Sequence, residues 1–337
     1  MTDKTIRHID AASEHPGRER LAPARLLSWV SGYETVVLLA LLVVVFTFAS
    51  DRFLTASNLQ NVALVQAVTA TMTLAVLMPL IIGEFDLSVG YLIGFLAMLE
   101  AVVAQHTSNP VLVIGAGPVV GLLVGLVNGV LTVYFKISSF IATLGVGILL
   151  SGGAQGISNG KVIFENIPSA LTSLASDDFL GLSLAVWLTL LLALILFYIL
   201  EHTPYGRFWY AIGGSERVAY LAGVRTNRMR MTSFAAAGLI VGIAANFALA
   251  QAGSANPGYG PDLLLPAYAA AFLGVATYRP GYYNVLGALV AITLLAIGFN
   301  GLSLLGVPFW VQPIFNGSVL IIAVLVARQE TRQVRTG

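Results

Sequence analysis

The sequence predicts an all-α polytopic membrane protein with about ten transmembrane helices, and three observations predict it. First, 57% of the 337 residues are apolar, 34 more are glycine and only 10% are charged. A soluble domain carries roughly 25% charged residues, so there is too little polar side chain here to cover an aqueous surface. Second, the apolar residues fall into ten continuous runs close to the ~20 residues that a helix needs to cross a bilayer. None alternates apolar and polar residues, and lipid tolerates only helices or closed barrels, which excludes a barrel. Third, threading ten spans with both termini in the cytoplasm places fifteen basic residues inside and only Arg52 and Lys161 outside.

Composition excludes several other classes. A net charge of +1 gives no nucleic-acid surface, and the absence of cysteine removes disulfides and thiolate metal sites. The histidines His8, His15, His106 and His202 are too scattered for ligand spacing, so no metal site is expected. No catalytic constellation stands out, and no enzyme is expected.

Residues 1–33 read as a polar cytoplasmic tail, with Arg18, Arg20 and Arg25 among Glu14 and Glu19 and no apolar core of a signal peptide. The transmembrane domain then covers 34–327. Span one, 34–49, is short. Span two, 61–82, contains Pro79, which weakens its last turn, and gives way to Gly83-Glu84-Phe85-Asp86-Leu87-Ser88-Val89-Gly90. Carboxylates cost about 2.5–3.5 kcal/mol each at the centre of a spanning helix and less at its edge, so these two need compensation. Two compatible readings stand. The segment is a half-buried turn bracing a gate or lining the pathway, with Asp86, Ser88 and Gly90 as its structural residues, or Asp86 or Ser88 simply caps span three.

Span three, 88–106, holds Glu100. Its cost points to the bundle interior or a water-filled path. Only six residues from His106, however, it is read as lying near the outer interface. Span four, 110–135, carries Gly117, Gly121, Gly125 and Gly129 at four-residue intervals, a smooth stripe that favours close helix packing over ligand contact. Asn128-Gly129 here is matched by Asn300-Gly301 in span nine. Spans two to five and seven to ten would run in opposite directions, making four and nine counterparts in an inverted repeat with substrate passing at the repeat interface. Asn128 and Asn300 would then offer amide donors and acceptors to a polar solute.

Span five, 139–157, contains Leu150-Ser151-Gly152-Gly153-Ala154-Gln155, superficially like a transport-ATPase signature, and Gly160-Lys161 follows. A phosphate loop needs glycine five positions before the Gly-Lys pair and Ser or Thr after it; Gln155 and Val162 stand there instead. Both matches are chance. The segment 158–181 is too short for an external domain, and span six is 182–200.

The longest polar interruption, 201–230, is too short for a nucleotide-hydrolysing domain. Gly213-Gly214 breaks the chain, Ser215 serves as N-cap, and a short helix runs to Gly223. Its Val218, Tyr220, Leu221 and Val224 have no local core, which predicts docking into a partner; a loop held on lipid headgroups by its arginines is the alternative. Spans seven to ten follow at 231–252, 263–277, 284–304 and 309–327, the eighth again short. Residues 328–337 form a second cytoplasmic tail.

These motifs together resemble one family. Thr203, Gly206-Arg207, Ala211-Ile212-Gly213-Gly214, Ala219 and Gly223-Val224 are similar to the cytoplasmic coupling loop of ribose-type permeases of ATP-binding cassette importers. The 83–90 turn resembles that family's Gly-x-x-Asp-Leu-Ser-Val-Gly, and Asn128-Gly129 with Phe140-Ile141-Ala142-Thr143-Leu144-Gly145 resembles its next motif. Phe53-Leu54-Thr55 and Asn58-Leu59 resemble its entry to span two, so the likeness extends in order over about 53–325. There are departures. Ser215 stands for the usual Asn, Ser138-Ser139 replaces a Pro before Phe140, and Asp262-Leu263-Leu264-Leu265-Pro266 and Gly274-Val275-Ala276-Thr277 replace an acidic and a Gly-Gly-Thr-Ser motif. The chain thus resembles a divergent branch, and ribose is not carried over as its solute.

The resemblance implies an inverted-repeat, type II importer permease in a bacterial cytoplasmic (inner) membrane. It would pair with a second permease, identical or related, beneath a periplasmic or lipid-anchored solute-binding protein and above two ATPase subunits. ATP and magnesium would sit on those ATPases, and this chain would hold no cofactor. Coupling would fall to Gly206, Arg207, Ala211, Gly213, Gly214, Ser215, Glu216, Arg217, Ala219, Leu221 and Gly223, and the pathway to Asn128, Phe140, Thr143 and Asn300. The expected solute is a pentose, hexose or polyol, with nucleosides and then branched-chain amino acids as alternatives. A different class, the self-sufficient ion-coupled carrier, would use Asp86 or Glu100 as its ion site.

Overall fold

Caps and stops along the chain decide where each apolar run becomes a helix. The computed structural model describes residues 34–308 and 310–336, with backbone only for 34, 326 and 328–336; the tail expected at 1–33 lies outside the described residues. Helix α1 is Glu34–Ala49 and α2 is Ala56–Ile81, opened by the Thr55 hydroxyl, which accepts from the Asn58 N–H. Then come α3 (Val89–His106), α4 (Pro110–Val133), capped by Asn109 with Pro110 in its first turn, and α5 (Ser139–Ser158), ended by Asn159 in the left-handed region. A short α6 (Ser169–Ser176) and a hairpin of β1 (Asp178–Phe179) and β2 (Leu182–Ser183) lead into α7 (Leu184–His202). The rest is α8 (Pro204–Gly214), α9 (Glu216–Leu221), α10 (Thr226–Ala252), α11 (Pro261–Leu273) with a 3-10 turn at Gly274–Ala276, α12 (Val285–Leu304) and α13 (Val311–Thr336).

The protein is therefore all-α apart from one small hairpin among the described residues. Seven helices, α2, α3, α4, α5, α7, α10 and α12, are long and apolar enough to cross a membrane, and α1, α11 and α13 supply shorter apolar stretches. Each of the ten predicted runs overlaps one of these helices. The boundaries move where polar turns continue a helix past its apolar edge: α2 begins at 56 rather than 61, and α10 at 226 rather than 231. Helix α13 runs unbroken through 328–336, so the C-terminal tail extends that helix.

The 201–230 segment departs most from expectation. Gly213-Gly214 closes a helix instead of breaking a loop, because Pro204 starts α8 one residue after α7 ends. Ser215 does cap α9, its hydroxyl accepting from the Val218 N–H at 3.4 Å, and Gly223 stops the segment with φ of +86°.

Helices α2 and α10 form the centre, with 83% of each apolar window buried, while α4, α5 and α7 show 22–28% and face outward. The glycine stripe packs as expected. Gly117, Gly121, Gly125 and Gly129 of α4 meet Gly242, Gly238, Phe234 and Met231 of α10 in reverse order, so the two helices cross antiparallel, backbone against backbone. A methyl group at Gly121 or Gly238 would strike the carbonyl of the other.

One end of the bundle gathers the 82–88 connector, α8, α9 and the 277–284 loop, joined by ion pairs of Arg230 with Glu84 and Glu216 and of Arg279 with Glu201. The opposite end holds the Asn58–Asn300 amide pair and the bridge between Ile163 and Ala255.

Candidate functional site

The connector between α2 and α3 is non-helical backbone sunk into protein, which is tolerated only when every backbone group finds a partner. Four consecutive N–H groups do so through side chains. Phe85 donates to the Ser139 hydroxyl at 3.2 Å, Asp86 to the Tyr268 hydroxyl at 3.0 Å, Leu87 to the Thr143 hydroxyl at 2.9 Å, and Ser88 to the Asp86 carboxylate at 3.0 Å. Tyr268 also donates back to the Asp86 carbonyl at 3.0 Å, and its ring stacks 6.0 Å from that of Phe85. The connector is thus bound to α5 and α11 by hydrogen bonds that need its present shape.

Asp86 is fully enclosed, and its carboxylate is the hub of this turn. Oδ1 accepts from the Ser88 hydroxyl at 2.5 Å, and the Asn128 amide of α4 donates to both carboxylate oxygens at 3.3 and 3.4 Å and to Ser88 Oγ at 2.8 Å. Ser88 occupies the N-cap position of α3 without a side-chain capping bond. Between the two readings of this motif, the geometry is that of a braced turn, in which the carboxylate caps Ser88 itself. Gly90 lies in the first turn of α3, where an added methyl would crowd Leu264 of α11.

At the same end, α8 and α9 carry the residues assigned to coupling. Gly206 folds α8 back on the Leu200 carbonyl, and Gly213 lies against the carbonyl of Ile81, the last residue of α2; neither position has room for a methyl. Trp209 Nε1 donates to the Met229 carbonyl at 3.0 Å and the Tyr210 hydroxyl to the Tyr283 carbonyl at 2.8 Å. Arg279 reaches both oxygens of Glu201 and stands over the Tyr210 and Tyr282 rings. Burial, with Glu201 beside it, raises the Tyr210 hydroxyl above the usual phenol range, so it remains a donor. Ala219 is buried, anchoring α9 on one side.

The other face of α9 is open. Val218, Tyr220 and Leu221 are 63%, 67% and 75% exposed, and Arg207, Ala211, Gly214 and Arg217 are exposed with them. Val224 differs from expectation: it is partly covered and packs on the core. Glu216 turns inward to Arg230 at 3.0 Å.

The four residues assigned to a pathway do not converge. Asn128 and Thr143 serve the connector, Thr143 also donating to the Ser139 carbonyl at 2.7 Å, while Asn300 exchanges amide hydrogen bonds with Asn58 at the far end. Phe140 alone projects outward, 52% exposed on α5. The reading of Glu100 is corrected. It is fully buried, its Oε1 pressed against Gly117 and neither oxygen hydrogen-bonded, because this face of α3 packs on α4 and α10 instead of lying at the interface. Sequence reasoning marked Glu84 as a carboxylate in need of compensation but missed its partner Arg230, and it missed Ser139 and Tyr268. The only signal for these was their chemistry, a lone Tyr among alanines and a base at a span edge.

Residues 58–324 match the family model described as branched-chain amino acid transport system / permease component. The ribose import permease protein of Escherichia coli (strain K12) is 29% identical over 302 residues, covering 89% of this chain and 94% of that one. The L-arabinose ABC transporter permease protein of Azospirillum brasilense is 28% identical, covering 94% of each chain. The autoinducer 2 import system permease protein of Escherichia coli O9:H4 (strain HS) is 32% identical over 253 residues, 74% of this chain and 77% of that one. No solved structure matches.

Proposed function

We propose, from the premise that the chain belongs to the family of branched-chain amino acid transport system permease components, that it is the membrane-spanning subunit of an ATP-binding cassette importer for a sugar. The observation that carries the reading is α9. Its exposed Val218, Tyr220 and Leu221, flanked by Arg217, form an apolar knob with a basic rim, raised on the rigidly held α8. Such a knob at the mouth of a membrane bundle suits a partner that pushes on it. We assign that partner as the ATPase subunits, with Arg207, Ala211, Arg217 and Leu221 as contacts and Gly206, Gly213, Ser215 and Gly223 as the residues that shape the segment.

The end bearing α8 and α9 is read as cytoplasmic, since Lys136, Arg207, Arg217, Arg225, Arg228, Arg230 and Arg279 lie there and only Arg52 and Lys161 lie opposite among the described residues. Both termini then face the cytoplasm across ten spans of the inner membrane, in the inverted-repeat arrangement of type II importers. Names of the relatives favour a pentose or another small polyhydroxy solute over a branched-chain amino acid. Selection would rest with a periplasmic or lipid-anchored binding protein. On α5, Phe140, Ile141 and Leu149 are exposed, and a methyl added at Gly145, Gly152 or Gly156 would meet nothing within 4 Å among the described residues. We take this face as the seat of the second permease, with the pathway between the subunits and Phe140 on its wall.

Arg217→Glu tests the coupling assignment, because Arg217 is exposed and no ion pair within the described residues holds it. The variant should insert normally yet lose most of the ATPase stimulation that the binding protein elicits in the co-purified complex. Full stimulation would overturn the assignment. Solute class is tested by thermal shift of the co-purifying binding protein against sugars, polyols, nucleosides and branched-chain amino acids.

A further inference from the structure

We infer that Arg230 is a positioning residue that ties the coupling helix α9 to the 83–88 connector, so that displacement of one is transmitted to the other. The inference rests on the coupling role proposed above and adds the route by which it reaches the bundle. One guanidinium makes two bonds to two different elements: one terminal nitrogen donates to Glu216, the first residue of α9, and the other to Glu84 of the connector. Arg230 itself sits in the second turn of α10, the central helix that the glycine seam holds against α4. Its guanidinium therefore stands between the two carboxylates.

The burial of the three groups supports a working link. Arg230 and Glu84 are 16% and 17% exposed at the side chain, whereas Glu216 is 47% exposed. The inner pair is shielded and the outer pair is open to whatever grips α9. Glu84 immediately precedes the four N–H groups held by Ser139, Tyr268, Thr143 and Asp86. A pull on Glu84 therefore loads a turn whose hydrogen bonds tolerate one shape. The three charges also border a polar cavity of about 690 Å³, whose walls include Lys136, Thr132 and Asn227. Arg230 thus has space to change partners without being driven into packed side chains. A guanidinium suits the task, since its fork can hold two carboxylates at once.

A chain of links predicts a distinctive pattern in a double-mutant cycle. In the co-purified complex reconstituted in nanodiscs, Glu84→Gln and Glu216→Gln should each lower binding-protein-stimulated ATP hydrolysis about tenfold, as expected for changes on a coupling route. The double variant should fall no further, because a link broken once is broken. Arg230→Lys should recover more stimulation than Arg230→Gln. Independent surface ion pairs would instead leave stimulation within about twofold of wild type, or give additive losses, and either result overturns the inference. ATPase recovered with the wild-type chain is measured in parallel. If none is recovered, the coupling reading itself fails; if it is recovered and the glutamine variants remain stimulated, only the Arg230 link fails. Because the chain has no cysteine, spin labels at Phe85→Cys and Val218→Cys give a second readout. Their distance should stay nearly constant on ATP binding in wild type, because the two elements move together, and should change in Glu84→Gln; a distance that changes equally in both overturns the inference.

Discussion

At the scale of single residues, two side chains that sequence marks as candidates for a solute path hold the connector, Thr143 by a backbone N–H and Asn128 by the Asp86 and Ser88 side chains. Asn128 and Thr143 were legible as polar groups in apolar spans, but their partners were not, since Asp86 and Leu87 lie 42 and 56 residues away. Tyr268 was invisible for the same reason at a separation of 182 residues. Removing its hydroxyl leaves the buried Asp86 N–H unpaired, so Tyr268→Phe should destabilise the protein by about 1–3 kcal/mol. A lowered melting temperature in detergent, with the same oligomer profile, is the expected result. Glu100 gives the converse case. It is a buried carboxyl without a hydrogen bond, and no transport step in the importer reading uses it. Glu100→Gln should therefore keep ATP-driven uptake within about twofold of wild type, the effect of a change well below 1 kcal/mol. Complete loss of uptake with normal folding would favour the ion-coupled reading.

At the scale of elements, the apolar runs were readable because lipid demands continuous hydrocarbon, and the ends were not, because polar caps prolong helices beyond it. Helix α8 was hidden by reading Gly213-Gly214 as a break, when Pro204 at its start was the better sign. The spacing of the α4 glycines showed that a helix packs on them but not which helix. Glycines of two kinds now make a sharp contrast. Gly121 meets the Gly238 backbone with no room for a methyl, whereas a methyl at Gly145 on α5 would meet nothing within 4 Å among the described residues. Gly121→Ala should cost about 1–3 kcal/mol through overpacking, and Gly145→Ala should leave the melting temperature of the single chain unchanged or slightly raised. The comparison is made by thermal unfolding of the two variants in the same detergent.

At the scale of the whole molecule, scarcity of charge organises the function. Among the described residues the acidic and basic pairs gather at the end that carries α8 and α9, where Arg230, Glu84, Glu216, Arg279 and Glu201 join connector, docking helices and bundle. At the opposite end Asn58 and Asn300 pair through their side-chain amides. Recognition and energy therefore fall to partners, and the path and the linkage to this chain. Uptake of a labelled sugar, the one that most stabilises the co-purifying binding protein, into proteoliposomes tests this most directly. The account predicts uptake only when ATPase subunits, binding protein and internal or external ATP on the ATPase side are present together. Uptake by the purified chain alone, driven by a proton or sodium gradient, would contradict it.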